Sequence, residues 1–223
     1  MPVKLVFSII IPVYNRPEEL DELLASILIQ EYDEVFDVCV IEDGSSVKSD
    51  LIVEKYRTEL PIHYFEKENT GPGPSRNFGM QKATGNYFII LDSDVILPKH
   101  YLATIAKQLE HKYTDAFGGP DAAHPNFSVL QKAINYSMTS FLTTGGIRGK
   151  KSSVEKFQPR SFNMGLSRKA FETTNGFSEM RAGEDIDLTF RLWNHGLETQ
   201  LIDNAFVYHK RRNSISSFFQ QTL

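Results

Sequence analysis

The sequence contains few of the features that mark secreted and membrane-spanning proteins. It has one cysteine, Cys39, among 223 residues, which excludes an intrachain disulfide and fits a reducing compartment. No apolar run reaches the roughly 20 residues of a transmembrane helix, and the first residues lack the apolar stretch of a secretory signal. We therefore expect a cytoplasmic protein, with peripheral contact at the inner face of a membrane as an alternative.

Positive charge is also scarce. The chain has 24 Lys and Arg against 28 Asp and Glu, a formal net charge of −4. Nucleic acid, whose phosphates reward a basic surface, is therefore not an expected partner. The main local basic run is His209-Lys210-Arg211-Arg212. An acidic balance with one basic run favours a small anionic ligand over a polyanion.

Short β-rich runs alternate with helical patterns in the first half of the chain, as is typical of an α/β fold with a parallel sheet. The first helix is expected to begin at Asn15 as its N-cap, with Pro17 in the first turn. The other predicted elements are strands 7–11, 36–41, 62–65, 87–91 and 205–208, and helices at about 48–58, 75–83, 102–109, from 183 onward, and 214–221.

Acidic residues follow two of these strands. Glu42 and Asp43 come after the second strand, and Asp92-Ser93-Asp94 after the fourth. Ligands of open parallel sheets bind beyond the carboxyl ends of the strands, and carboxylates that meet there are tolerated if a cation neutralises them. Oxygen ligands suit Mg²⁺ or Mn²⁺. Taken alone, Asp92-Ser93-Asp94 also fits a simple polar turn.

Five short motifs occur together and in order: Pro12–Asn15, Glu42–Ser45, Asp92–Asp94, Gly183–Asp185 and His209–Arg212. This set resembles the family 2 glycosyltransferases of the GT-A fold, whose corresponding motifs read PVYN, DDGS, DxD, a GED-type helix start and a late histidine or basic cluster. Glutamate replaces the first aspartate of the second motif, so the aspartate that follows it is the stronger candidate.

The resemblance runs from about Ser8 to about Phe219 and implies an α/β fold with a Rossmann-like, mixed but mainly parallel sheet flanked by helices. It implies a single domain over residues 1–223. A nucleotide-binding half would cover about 1–115, and an acceptor-binding half about 116–223.

The implied activity is that of an inverting glycosyltransferase. A sugar would move from a nucleotide-diphosphate sugar, expected to be a UDP-sugar, to a hydroxyl of a glycan or lipid-linked acceptor. Asp185 would be the general base, which requires hydrogen-bond reach of the acceptor hydroxyl. Glu184 and Asp185 are also residues that a helix prefers in its first turn, so a purely structural role is the alternative.

On the donor side, the resemblance assigns roles residue by residue. Pro12 and Tyr14 would line the base pocket, and Asp43 would pair with the edge of the base. Arg76 would reach the nucleotide or its phosphates, which suit an arginine fork; a surface helix arginine is the alternative. Asp92 would approach the ribose or the sugar.

The same resemblance implies a metal site. Asp94 would hold Mn²⁺ or Mg²⁺ against the diphosphate. His209 would complete the site and would suit Mn²⁺ better, with a structural histidine as the alternative. The cations at 210–212 would offset the charge of the leaving diphosphate, or would face a membrane beside Phe218 and Phe219.

Two further segments are candidates on the acceptor side. Residues 160–165 resemble the family stretch that approaches the acceptor and the donor sugar, with an edge strand as the alternative. The glycine-rich, basic loop 145–152 is expected to close over the donor and exclude water.

Other functions fit less well. A haloacid-dehalogenase-type phosphatase would carry its D-x-D after the first strand, and a dinucleotide-binding enzyme would need G-x-G-x-x-G there. A sugar nucleotidylyltransferase would carry a glycine-rich basic loop at the same place. A non-catalytic module that binds a nucleotide sugar stays open, although the presence of both Asp94 and Asp185 argues against it.

Overall fold

The computed structural model describes residues 4–124, 156–180 and 182–210. Ten strands and six helices lie within these ranges. The strands are β1 (Phe7–Val13), β2 (Phe36–Asp43), β3 (Ile62–Lys67), β4 (Tyr87–Leu91), β5 (Val95–Ile96), β6 (Ala116–Gly118), β7 (Asp121–Ala122), β8 (Asn163–Ser167), β9 (Thr199–Leu201) and β10 (Val207–His209). The helices are α1 (Pro17–Leu28), α2 (Asp50–Tyr56), α3 (Pro72–Lys82), α4 (Tyr101–His111), α5 (Arg168–Thr174) and α6 (Glu184–Asn194).

Seven strands form the main sheet in the order β3-β2-β1-β4-β8-β6-β9. The first four in that order are parallel, β8 runs antiparallel to both β4 and β6, and β9 is parallel to β6. A smaller sheet has the order β5-β10-β7. The predicted α/β fold with a mixed, mainly parallel sheet is confirmed.

The central strands are continuous apolar runs because both of their faces are covered. Ile9 and Ile11 of β1 belong to a core cluster that also contains residues of α1 and α4, while Ile10 belongs to a second cluster with residues of α3, α5 and α6. Cys39 is fully buried in the second cluster, as its apolar neighbours predict. The alternation of side chains along a strand divides the two cores.

The expected start of the first helix is wrong by one residue. Arg16, not Asn15, is the N-cap of α1. Asn15 has a φ of 54°, a left-handed conformation that asparagine tolerates. Its Oδ1 accepts hydrogen bonds from the backbone N–H groups of Ser46 and Val47, at 2.8 and 3.0 Å. Asn15 therefore fastens the loop after β1 to the loop after β2.

Other boundaries also differ. β1 and β2 extend to Val13 and Asp43, so Pro12, Glu42 and Asp43 lie in the last residues of these strands rather than after them. α3 begins at Pro72 rather than near Ser75, because prolines fit a first helical turn whose N–H groups have no intrahelical acceptor. Residues 160–165 do not form an edge strand, because β8 lies between β4 and β6. The division into a nucleotide-binding and an acceptor-binding half stays a prediction.

Some predictions lie outside the described residues: the loop 145–152, the cations Arg211 and Arg212, and the helix 214–221 with Phe218 and Phe219. Within the part of the chain that is described, no helix combines the length and apolarity that crossing a bilayer requires.

Gly165 in β8 yields a test of this packing. A Cβ atom there would lie 1.9 Å from Cε1 of Phe117, a fully buried ring of β6. We expect Gly165→Ala to lower the free energy of unfolding by about 1–3 kcal/mol through overpacking, measured by urea denaturation. Glu172→Ala, at an exposed position of α5, should stay within about 0.5 kcal/mol of wild type. Unchanged stability of Gly165→Ala would contradict the described contact.

Candidate active site

The carboxyl ends of β1, β2 and β4 open on one edge of the main sheet because the three strands are parallel neighbours. The residues that the sequence singled out after these strands therefore share this edge. They are Pro12, Tyr14, Glu42, Asp43, Asp92 and Asp94.

The smaller sheet adds His209 to this edge. β5 begins directly after Asp94 and pairs antiparallel with β10, with His209 opposite Val95. The backbone N–H of Lys210 donates to the carbonyl oxygen of Asp94 at 2.8 Å. Asp92, Asp94 and His209 each then offer one ligand atom within 4.8 Å of the others. The structure brings the two predicted metal ligands and Asp92 into one cluster.

The cluster has the chemistry of a divalent-cation site. Oδ1 of Asp94 and Nδ1 of His209 are buried and make no hydrogen bond within the described part of the chain, although Nε2 of His209 lies 3.2 Å from Oδ1 of Asp94. Buried polar atoms without partners are rare and need an explanation. Two carboxylates and one imidazole suit Mn²⁺ better than Mg²⁺. The residues present therefore fit a cation of this kind.

Asp94 is held ionised by its neighbours. Burial alone would raise the pKa of its carboxyl, but His209 and Arg16 outweigh burial and lower the pKa to about 2. Nη1 of Arg16 donates to Oδ2 of Asp94 at 2.5 Å. The carboxylate form that a metal ligand needs is thus the form expected at neutral pH.

Arg76 joins the two sides of the site. Its Nη2 donates to Oδ1 of Asp92 at 2.8 Å, and its Nη1 donates to Oε1 of Glu184 at 3.0 Å. The guanidinium also lies over the ring of Phe177, 5.2 Å from its centroid. The side chain is only 4% exposed, so the surface-arginine alternative is wrong. The contact of Arg76 with a nucleotide stays a prediction, and both of its terminal nitrogens are engaged here.

Asp185 is the second residue of α6 and is 4% exposed. Nε of Arg160 lies 2.9 Å from its Oδ2, and the backbone N–H of Ser161 donates to the same oxygen at 3.3 Å. The N-cap of α6 is Gly183, with a φ of 79° and no side-chain cap. One oxygen of Asp185 thus faces the segment before β8, and the other accepts a hydrogen bond from the backbone N–H of Ile186 in the first turn of α6, at 2.8 Å. The role of Asp185 as general base stays a prediction.

Asp43 is buried and tied to the loop that leads into α3. Its carboxylate accepts hydrogen bonds from Nζ of Lys67 and from the backbone N–H groups of Thr70 and Gly71, the latter two at 3.0 and 2.9 Å. Burial raises the pKa of Asp43, but Lys67 and the Thr70 amide outweigh burial and lower it. Pairing of Asp43 with a base stays a prediction.

Glu42, the less favoured acidic residue of this motif, has a structural role. It is 1% exposed, and its carboxylate accepts hydrogen bonds from the backbone N–H of Ser49 and the hydroxyl of Tyr64, at 2.7 and 3.1 Å. By contrast, Tyr14 is 53% exposed at the same edge, and Pro12 is partly buried. The predicted base pocket is consistent with these positions but stays a prediction.

Arg16 was not predicted as a site residue, and the ion pairs of Arg160 and Glu184 were not predicted, although these two residues belong to the singled-out segments 160–165 and Gly183–Asp185. All three residues are close in sequence to a predicted site residue. Closeness in sequence does not indicate, however, which distant charged group a long side chain will contact. In each case the partner is set by the tertiary fold.

Comparisons with known proteins test the fold and the family. The chain is 34% identical over 112 residues to the poly(ribitol-phosphate) beta-N-acetylglucosaminyltransferase TarS of Staphylococcus aureus, which covers 49% of this chain and 20% of that protein. The chain thus spans about a fifth of the length of this curated relative.

Two solved structures share the fold. The crystal structure of S. aureus TarS 1–349 with UDP-GlcNAc has a TM-score of 0.72 at 25% identity, covering 96% of this chain and 61% of that one. The mannosyltransferase PcManGT from Pyrobaculum calidifontis, in complex with GDP-Man and Mn²⁺, has a TM-score of 0.78 at 18% identity, covering 98% and 61%. The GT-A fold is therefore confirmed.

The family follows from a direct match. Residues 8–174 match the family model described as "Glycosyl transferase family 2". The match extends from β1 through α5 and includes the acidic turn after β4, as the resemblance of the motifs implies. The chain belongs to glycosyl transferase family 2.

Proposed function

We propose that the chain is the catalytic domain of an inverting glycosyltransferase that moves a sugar from a nucleotide-diphosphate sugar to an acceptor hydroxyl. One observation carries the proposal. The Arg76 guanidinium contacts both Asp92 of the candidate metal cluster and Glu184, the neighbour of Asp185. The proposed donor and acceptor sides therefore meet at one place. The family assignment removes the phosphatase, dinucleotide-binding and nucleotidylyltransferase alternatives.

The proposed donor is a UDP-sugar. TarS, which is 34% identical over 112 residues and whose complex with UDP-GlcNAc is 25% identical, supports uridine as the base, whereas PcManGT, at 18% identity, supports only the fold. In this proposal Pro12 and Tyr14 line the base pocket and Asp43 is the group nearest the base edge. The acceptor is a hydroxyl of a glycan or of a lipid-linked molecule. The cytoplasmic location and the peripheral membrane contact also remain predictions.

The proposed metal ligands are Asp94 and His209, with the carboxylate of Asp92 in the same cluster. When bound, Mn²⁺ or Mg²⁺ would offset the charge of the diphosphate and act as a Lewis acid on the leaving group. Asp92 reaches the same place from its turn and would face the ribose or the sugar, while Arg76 keeps that carboxylate in position.

On the acceptor side, Asp185 is proposed to accept the proton of the acceptor hydroxyl. As that oxygen bonds to the anomeric carbon, the bond from this carbon to the diphosphate breaks, the configuration inverts and the nucleotide diphosphate leaves. Arg160 and the Ser161 amide hold one carboxylate oxygen, and Ile186 N–H donates to the other at 2.8 Å. These contacts orient the Asp185 carboxylate as the general base. An acceptor hydroxyl must reach this carboxylate beside Arg160.

A non-catalytic module that binds a nucleotide sugar is the second candidate. The observation in its favour is that Arg160 already occupies one oxygen of Asp185, and Arg16 one oxygen of Asp94. Turnover separates the two functions, because a binding module would hold UDP without releasing it from a sugar.

The general base is tested by Asp185→Asn. We expect release of UDP from UDP-sugars with Mn²⁺ to fall by about 100-fold or more, because general-base catalysis contributes about 10²–10⁴. UDP affinity, measured by calorimetry, should change less than about threefold. Asp187→Asn, on the same helix and paired with Arg191, is the matched control and should retain most of the activity.

Full turnover by Asp185→Asn would contradict the assignment of the base. Tight UDP binding by the wild-type protein, without turnover over a broad panel of donors and acceptors, would favour the binding module instead.

The metal site is tested by thermal shift. With UDP and Mn²⁺ at about 100 times the Kd, the linkage of binding to folding should raise the Tm by about 5–10 °C. EDTA or Asp94→Asn should remove most of this rise. Asp203→Asn, at an exposed position, should behave like wild type. A rise with UDP that is the same with EDTA and with Mn²⁺ would count against a metal role.

The bridging role of Arg76 is tested by Arg76→Met. Removing the guanidinium leaves the largely buried Glu184 carboxylate, and the less buried Asp92, without that partner. We expect the free energy of unfolding to fall by about 2–4 kcal/mol. Arg57→Met, which breaks only an exposed pair with Glu54, should change it by less than about 1 kcal/mol. Lower UDP affinity with unchanged stability would indicate a nucleotide contact in place of the bridge.

A further inference from the structure

Each aspartate of the candidate metal cluster forms an ion pair with an arginine, and the two arginines differ in burial and in their number of partners. Arg76, on Asp92, has a side chain that is 4% exposed and a second carboxylate partner, Glu184. Arg16, on Asp94, has a side chain that is 39% exposed. Among the described residues, Asp94 is the one carboxylate with which Arg16 forms an ion pair. Moving the Arg16 side chain away from Asp94 therefore costs less free energy than moving Arg76 away from Asp92.

The Arg16 guanidinium occupies an oxygen next to the one that faces His209. Its Nη1 lies 2.5 Å from Oδ2 of Asp94, while Oδ1 of the same carboxylate lies 3.2 Å from Nε2 of His209. A divalent cation bound by Asp94 and His209 would lie within a few ångströms of the guanidinium. Like charges at that distance repel strongly in a partly buried site.

The charges of the site lead to the same conclusion. In the described structure, the three carboxylates of Asp92, Asp94 and Glu184 face the two guanidiniums of Arg76 and Arg16, which leaves one negative charge. A divalent cation would leave the cluster with an excess of positive charge. The diphosphate of a nucleotide sugar would remove this excess, and a guanidinium is well suited to phosphate oxygens.

We propose that Arg16 is a displaceable counterion. Without donor it competes with the divalent cation for Asp94, and when cation and donor are both bound it pairs with the donor diphosphate. This inference rests on the proposed function. Its consequence is that the cation binds weakly alone and more tightly with the nucleotide, and by linkage the nucleotide binds more tightly with the cation.

The first measurement is calorimetric titration with Mn²⁺ alone, on wild type, Arg16→Met and Arg16→Lys, with Arg57→Met as the control. Arg16→Met should bind Mn²⁺ at least about tenfold more tightly than wild type, because the guanidinium that competes with Mn²⁺ for Asp94 has been removed. Arg16→Lys keeps the charge and should stay closer to wild type. Arg57→Met, at a distant exposed pair, should match wild type.

The second measurement is titration with UDP at saturating Mn²⁺. Arg16→Met should bind UDP about tenfold or more weakly than wild type, because a charge-assisted contact with the diphosphate is lost. A residue that merely supports the fold would not raise the affinity for one ligand while lowering the affinity for the other. If Mn²⁺ alone is too weak to measure in all proteins, a UDP loss in Arg16→Met that requires Mn²⁺ supports the proposal, and an unchanged UDP affinity overturns it.

The failures can be told apart. Equal or weaker Mn²⁺ binding by Arg16→Met overturns the counterion role and leaves the metal site intact. Unaltered Mn²⁺ binding by Asp94→Asn overturns the metal site itself, and with it both this inference and the proposed role of the cation.

Discussion

A buried guanidinium needs partners for its charge and its N–H groups, and Arg76 finds them in two elements far apart in sequence. Asp92 belongs to the turn after β4, and Glu184 opens α6. The next residue, Asn77, donates through Nδ2 to the carbonyl of Phe177 at 2.7 Å and accepts from its N–H at 2.8 Å. α3 therefore fixes the turn of the candidate metal cluster and the start of α6 together. The relative position of the two proposed halves of the reaction depends on this contact.

The site is built from ion pairs and not from bare carboxylates. Lys67 contacts Asp43, Arg16 contacts Asp94 and Arg160 contacts Asp185. The sequence suggests a cluster of like charge that only a cation would neutralise, but the fold supplies a basic side chain to Asp43, Asp92, Asp94 and Asp185. Such an edge is stable before any ligand arrives. A charged ligand can then bind by replacing one partner of an existing ion pair. This costs less free energy than placing a charge in an apolar pocket.

What the sequence predicts well is local. The apolar runs of β1 and β4 identify buried strands, and the acidic turn beyond β4 identifies the ligand edge, because both follow from rules of period and strand direction. The structural roles of Asn15 and Glu42 and the pairing of Arg160 were not predictable. These depend on which loops come to lie side by side, and nothing in the residues near each of them encodes that. The candidate metal cluster was predicted from the five motifs taken together, whereas Asp92-Ser93-Asp94 alone also fits a simple polar turn.

The direction of β8 explains how residues from the second half of the chain reach the sheet edge at which β1, β2 and β4 end. The parallel strands β1, β2 and β4 bring their carboxyl ends there, but β8 is antiparallel, with Asn163 opposite Leu91. The residues before β8 thus lie beside the residues after β4: Asp92 N–H donates to the carbonyl of Phe162 at 3.3 Å, and the Phe162 ring stacks on His209. The reversed direction of β8 brings the segment that contains Arg160 to the carboxyl end of β4, and Arg160 in that segment meets Asp185. Because the reversed strand joins the sheet through backbone hydrogen bonds, its direction, and not the side chains of residues 160–162, brings that segment to this edge.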